Sequence, residues 1–540
     1  MILDKLRSTH SILILKRKKI TKGLIYIYHL IIKNPRIIGI LYFTLLEIFM
    51  LRSAFLNKGL IFYWDSVPFG SVKELIMYTF NDWDTLLQRP NYRFLYSFFT
   101  NWMLLIPLQR FAFFLSFFLN GYCCFELTYH IQKTIDKFPS KILIFSSIIS
   151  GTLYILFISM TNAHLYNTIM ISAGIQPLLF LFFFKSIKDN IKWSAPLVIL
   201  IFINPMISIL IIDITFILIF SFIFIVNGYF KKNKLIIKKV IIVDVIMLLF
   251  GIIPYIINII SNIPLGEITF IQMRDLILSK GNLLSTLVPF GFFLPESGYE
   301  MRDISFYLSK NPIYLLFLIY LILTIYCLIK YGKKQVVIQL LIGMFLSGIS
   351  SMGTDCILSP YYIFMRVRKL NPILRTILDA YVILIRKPEK WLISESLFLI
   401  LLVSISVSKL LMKFMNNIIT FKKFKIRIPC SFLVAVFLFI LIFSPFFVSP
   451  FNLMFTGNLG KILSPITIPQ ELKTVHDLIK HDEKTLYLPI HTWSRPTNMI
   501  GDKRVSDEFF IYIHDVESIE AGGGDSYPIN VKFLAPICRR

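Results

Sequence analysis

Residues 206–228 read MISILIIDITFILIFSFIFIVNG, a run that holds a single ionisable side chain, Asp213. About 20 apolar residues in a helix match a hydrocarbon core of about 30 Å, and inside that core only a helix satisfies its own backbone hydrogen bonds. Runs of this kind recur along the chain, at about 37–57, 111–132, 142–161, 168–185, 193–204, 206–228, 240–260, 311–329, 335–352, 393–412 and 430–449. The expected fold is therefore an all-α polytopic membrane protein of about eleven transmembrane helices. The fifth run is short and meets the sixth at Asn204-Pro205, so it is expected to be tilted or only partly inserted. With 56% hydrophobic residues and 52 phenylalanines among 540, the chain carries more apolar surface than a water-soluble domain can bury.

The spacing of charge orients these runs. Lys and Arg outnumber Asp and Glu by 56 to 31, a net charge of +25, yet the cations form short clusters between apolar runs rather than one surface, which argues against a nucleic-acid partner. Lys16–Lys22, Lys133/Lys137/Lys141, Lys185/Lys188/Lys192, Lys231–Lys239, Lys330/Lys333/Lys334 and Lys422–Arg427 all fall on one side of an eleven-span chain. By the positive-inside rule that side is cytoplasmic, which gives a multi-pass plasma-membrane protein with its N-terminus inside and its C-terminus outside. The basic N-terminus, 1–36, reads as a cytoplasmic segment rather than a cleaved signal. The transmembrane domain occupies 37–449, with outer loops 58–110, 261–310 and 353–392. Residues 450–540, with ten Lys/Arg against eleven Asp/Glu, a strand-like KTLYLPI and a Gly-rich AGGGDSYPIN, form a small extracytoplasmic α/β segment.

The outer loops hold the candidate chemistry. In the first loop, FYWDSVPFG places Asp65 at the mouth of a span, and NDWDT adds Asp82 and Asp84, followed by Arg93. A carboxylate there can serve as general base toward a hydroxyl or help to hold a divalent cation such as Mg or Mn; equally, Asp65 can cap the helix expected over VPFGSVKELIMYTF. Glu47 lies inside the first span, where an ionisable residue points to function unless Arg52 pairs with it. Glu267 adds an acid to the loop 261–310. Segment 353–392 breaks the charge rule, with seven Lys/Arg against three acids. Its Arg386 and Lys390, in RKPEKWL before a late span, suit an anionic phosphate; the alternative is lysine and arginine stems reaching to the membrane surface. The six cysteines lie in apolar runs or alone and suggest neither disulfides nor a metal site. No nucleotide-binding glycine loop and no HExxH metal motif is present, so any substrate comes from the membrane.

A basic N-terminus, one span and a long outer loop opening with an acid (YWDSVP) resemble the GT-C glycosyltransferases, which use polyprenyl-phosphate sugars. RKPEKWL is similar to the Arg-x-Pro-x-Lys-aromatic signature of the arabinofuranosyltransferase-like members, and TIPQELKTVHDLIKHDEKTLYLPI is similar to their segment after the last span. The resemblance implies Asp65 as the catalytic acid residue; Asp82, Asp84, Glu47 and Glu267 are the possible additional acids that the loops and the first span offer by their own chemistry. The resemblance also implies donor phosphate binding by Arg386 and Lys390, to which Arg93 of the first loop is added as a candidate, and a saccharide, glycolipid or protein acceptor. The competing expectation is a transporter or flippase of lipid-linked saccharides.

Overall fold

The computed structural model describes residues 34–56, 106–160, 167–253 except 205, 312–367 except 354–355, 390–421, 426–447, 455, 499–500 and 503–504. Helix α1 is Pro35–Met50, α2 Ile106–Ile135, α3 Ser140–Met160, α4 Asn167–Lys188, α5 Ser194–Ile203 and α6 Ile207–Phe230. Then follow α7 Lys234–Met247, α8 Leu318–Tyr331, α9 Gln335–Ser351, α10 Pro360–Val367, α11 Trp391–Lys413 and α12 Cys430–Phe443. Strands among the described residues are confined to two short antiparallel pairs, Ile418–Phe421 with Ile426–Pro429 and Met499–Ile500 with Lys503–Arg504.

Six helical stretches are long and apolar enough to cross a bilayer: Arg110–Ile135, Ser140–Ser159, Ile169–Lys188, Ser208–Phe230, Trp391–Lys413 and Cys430–Phe447. Ile191–Ile203, Leu315–Tyr331 and Gln335–Ser351 are shorter apolar helices. The chain is thus a mostly helical, multi-pass membrane protein, and within the described residues each apolar run read from the sequence meets a helix. Helix α1 starts where Asn34 accepts from Arg36 N and Pro35 supplies a preset φ; Asn233 caps α7 in the same way through Ile236 N.

Helix α11 is the hub. All of its 18 most apolar positions are buried, whereas only 28% of the corresponding window of α12 is. Around α11, Phe398 meets Phe180, Phe216 and Phe220 edge-on and lies over Gly343 of α9, where a Cβ would come within 2.6 Å of the ring. Without a solvent-driven hydrophobic force between helices, such close fits supply association. Helix α1 docks by the same device: Phe43 fills the space left by Gly121 of α2 and Gly151 of α3. Its other side, with Leu45, Ile48 and Phe49, stays exposed as a lipid-facing surface requires.

Side-chain contacts define two ends. At one, Lys188 Nζ reaches Thr134 Oγ1 (3.4 Å), Lys239 Nζ reaches the Asp189 carbonyl (3.1 Å), and Tyr331 donates to Asp136 (2.6 Å). The basic turns after α2, α4, α6 and α8 therefore gather on one face, as the charge spacing predicts. At the opposite end, Ser172 of α4 meets Asn204 (2.7 Å), and Trp391 Nε1 donates to Tyr361 of α10 (2.9 Å).

Candidate functional site

The helix break at 204–206 organises the end opposite the basic turns. Asn204 is buried, and its Oδ1 accepts from Ser172 Oγ (2.7 Å) and from Met206 N (3.1 Å). Met206, the N-cap of α6, offers no side-chain cap. Two residues into α6, Ser208 Oγ accepts from the Lys390 ammonium at 2.7 Å. Lys390 is only 8% exposed: instead of reaching outward to the membrane surface, it turns into the bundle at the head of α11.

One turn deeper, Ser394 of α11 shares a polar cluster with α3, α4 and α6. Gln176 Nε2 donates to Ser394 Oγ (2.7 Å) and to Asp213 Oδ1, while Tyr154 donates to Gln176 Oε1 (3.0 Å) and to the Ala173 carbonyl (2.9 Å). Asp213 is wholly buried and its Oδ2 has no hydrogen-bond partner. Through Gln176, Asp213 thus joins a cluster of four helices, and one of its carboxyl oxygens is still unused. Asp244 is simpler, accepting from Ser221 at 2.6 Å across α6 and α7.

Two further carboxyl groups are buried with no hydrogen-bond partner at either oxygen: Glu47 on α1 and Glu395 on α11. Glu47 does not pair with Arg52, the bland explanation. That guanidinium turns instead to the carbonyls of Phe49 (2.7 Å) and Phe455. Glu47 follows Phe43 by one helical turn and so faces α2 and α3 rather than lipid. Glu395 was not anticipated. It is the one acid within WLISESLFLILLVSISVSKLLMK, a signal that the sequence does carry. An ionisable residue inside a span is costly and is retained for function or for a specific partner.

The basic end has a different character. Ser146 Oγ (2.7 Å) and Ser408 Oγ (3.1 Å) both meet Gln132 Oε1, and the two hydroxyls lie 2.8 Å apart. Beyond the span, Asp136 accepts from Tyr331 (2.6 Å) and faces Lys409 Nζ at 3.4 Å. The Tyr331 hydrogen bond, aided by the Lys137 N–H and by Lys409, holds the Asp136 carboxyl below the usual carboxylate range against the pull of its partial burial.

Among the expected site residues, Glu47 and Lys390 are placed by the structure, at different helices. Asp65, Asp82, Asp84, Arg93, Glu267 and Arg386 lie outside the described residues, as does most of 450–540. The described residues contain no group of three His, Cys, Asp or Glu able to hold a metal. The sequence marks Asn204 only as a helix break and does not mark Ser208 or Gln176, because uncharged polar residues in apolar runs are ordinary until their partners are known. No protein-family model matches the chain, and no curated protein and no solved structure is similar to it.

Proposed function

We propose that the protein is a membrane glycosyltransferase that moves a sugar from a polyprenyl-phosphate donor to a saccharide, glycolipid or protein acceptor, on the face opposite the basic turns. Eleven crossings with the N-terminus inside and the C-terminus outside make that face external. The observation that supports the reading is Lys390: a lysine of the RKPEKWL sequence is drawn into the bundle at the head of α11, in hydrogen-bond contact with α6. A buried ammonium at the start of a span is suited to an anionic lipid headgroup. In this reading Arg386 and Arg93 join Lys390 on the donor phosphate. Asp65, with Asp82, Asp84 and Glu267 as the other loop acids, accepts the proton of the acceptor hydroxyl. That oxygen bonds to the anomeric carbon as the bond from carbon to phosphate oxygen breaks. The phosphate leaves as an anion, so charge stabilisation by the cations matters more than an added acid. A Mg or Mn ion at the loop acids is compatible with this chemistry.

Transfer from a polyprenyl-phosphate sugar in liposomes tests the reading. Asn caps a helix about as well as Asp, so Asp65→Asn keeps the local structure while losing about 10²-fold in transfer if the carboxylate is the base. Full activity in Asp65→Asn, Asp82→Asn and Asp84→Asn alike would sink the glycosyltransferase. A second reading, a transporter or flippase of lipid-linked saccharides, is favoured by the unpartnered Glu47 and Glu395 and by the helix break at 204–206. It predicts lipid-linked saccharide crossing the bilayer without any transfer product.

A further inference from the structure

Helix α7 has two faces of different chemistry. Val240, Val243 and Met247 are buried against the bundle, and Asp244 on the same side accepts from Ser221 of α6. The other side carries an open groove of about 270 Å³ lined by Lys234, Ile237, Lys238, Ile241 and Ile242. Its two lysines stand one helical turn apart, and the isoleucines continue from them along the helix. Ile237 fits into the space left by Gly228 of α6, where a Cβ would come within 2.9 Å of it. Ile241 and Ile242 stay exposed. Among the described residues, neither Lys234 nor Lys238 pairs with a carboxylate. The acids described toward this end are engaged elsewhere. Glu126 meets Arg36 at 3.3 Å, Asp136 meets Tyr331 and Lys409, and Asp189 interacts with Lys185 and Lys188.

The register of α6 and α7 sets the depth of this groove. Gly228 lies beside Ile237 and Ser221 beside Asp244, so the two helices run antiparallel in step. The span of α6 ends at Phe230, where Tyr229 and Phe230 are exposed, as aromatic residues at a membrane surface are. That end is level with the first turn of α7. Lys234 therefore stands at the edge of the apolar layer, and Ile241 lies about 11 Å further along the helix, toward the hydrocarbon. Helix stability does not account for the lysines, since the first turn holds no acid and a cation near a helix N-terminus opposes the dipole. A cationic rim over an apolar floor has the polarity of a phospholipid, phosphate at the edge and acyl chain inside. Clustered lysines at this level attract anionic headgroups. An apolar helix from another protein would cover the isoleucines but leave both ammonium groups without a counter-charge. We propose that this face of α7 binds an anionic glycerophospholipid of the leaflet on the side of the basic turns, its phosphate on Lys234 and Lys238 and an acyl chain along the three isoleucines. The site is independent of sugar transfer, for it lies at the opposite end of the bundle from Lys390.

Native mass spectrometry of the full chain in detergent tests this, with phosphatidylglycerol and phosphatidylcholine of identical acyl chains as probes. One phosphatidylglycerol should bind about thirtyfold more tightly than phosphatidylcholine, the combined attraction of two lysines. Lys234→Gln and Lys238→Gln should each cut that preference about fivefold, and the double change should erase it. Both positions are exposed and glutamine is a good helix former, so the unfolding midpoint without added lipid should stay within a few degrees of the parent. Removing the same charge from another basic turn, with Lys330→Gln and Lys333→Gln, should leave the preference within about twofold. Ile241→Ser should weaken both lipids by a similar factor, because it touches only the acyl chain. Equal binding of the two lipids by the parent overturns the anionic assignment. A preference that persists in the folded Lys234/Lys238 double variant, or that falls as far in the Lys330/Lys333 pair, overturns the α7 site. Unchanged binding of both lipids by Ile241→Ser overturns the acyl-chain floor. A dimer that Ile241→Ser dissociates, with no selective lipid, overturns the lipid in favour of a second copy of the chain.

Discussion

At the basic end of the bundle, Gln132, Ser146 and Ser408 join α2, α3 and α11 through one shared carbonyl oxygen, and Asp136 has both a hydroxyl and an ammonium to face. At the opposite end, Asp213 uses one oxygen, Asn204 leaves an amide nitrogen without a partner, and Glu395 and Glu47 leave whole carboxyl groups unused. The basic end is not flawless, since Gln132 Nε2 also has no partner. The difference is one of kind: spare atoms there belong to amides and to the His130 imidazole, whereas here they include the carboxyl groups of Asp213, Glu47 and Glu395. Polar groups that mainly fasten helices should be close to satisfied, because each orphan in hydrocarbon costs stability. Polar groups retained for a ligand or a proton can be left incomplete.

The largest break in this contrast should come from Gln176→Met. The change removes the one hydrogen bond to Asp213 and the donor to Ser394, and it takes away an acceptor of Tyr154. Leaving a buried carboxyl without partners costs about 3 kcal/mol, which should appear as a clear fall in the unfolding midpoint in a fixed detergent. An unchanged midpoint would mean that the cluster does not hold α3, α4, α6 and α11 together.

Glu395→Met should move the other way. Methionine fills a similar volume without a polar atom to satisfy, so the variant should gain about 2 kcal/mol, the scale of an acid at the centre of a span. If Glu395 is kept for function, transfer or transport falls while stability rises. A loss of stability would show that the acid has a structural partner.

Gln132→Met provides the sign comparison at the basic end. Ser146 and Ser408 keep each other at 2.8 Å, and Ser146 keeps the Ile142 carbonyl, so the loss should be about 1 kcal/mol or less. A gain on the scale of Glu395→Met would erase the distinction between the two ends.

The mostly helical, multi-pass character was legible because apolar runs near 20 residues match the thickness of a bilayer. The break at Asn204-Pro205 was legible too, from Pro alone. The sites were less so. Lys390 stood out by charge, but whether it faced lipid headgroups or α6 depended on Ser208, 182 residues away in the chain. Asp213, the single ionisable side chain of its run, packs through Gln176; its spare oxygen depends on three-dimensional packing, which periodicity does not encode. Glu395 is a single acid in a long apolar helix whose charge pattern is dominated by the basic residues at its flanks.

The smallest effect expected is the pH response of Asp136, and it sharpens the comparison because this acid is fully engaged. Its carboxyl titrates below its value in the unfolded chain, chiefly through the Tyr331 hydroxyl. A depressed folded pKa means that its contribution to stability is complete above the unfolded value of about 4 and fades as the pH falls through the folded one. Unfolding midpoints should therefore be flat in this respect near neutrality and decline below about pH 4. Asp136→Asn should remove that part of the decline and lower the neutral-pH stability by less than about 1 kcal/mol, since the pair with Lys409 is only half-sheltered and screened by solvent. Asn can still accept from Tyr331, so Tyr331→Phe is the sharper partner variant: with the main cause of the depression gone, the decline should still begin near pH 4 but be smaller, while Lys409 stays in place. If neither variant changes the acid limb, Asp136 is a solvated turn residue, and the basic end owes its order to Gln132, Ser146 and Ser408 alone.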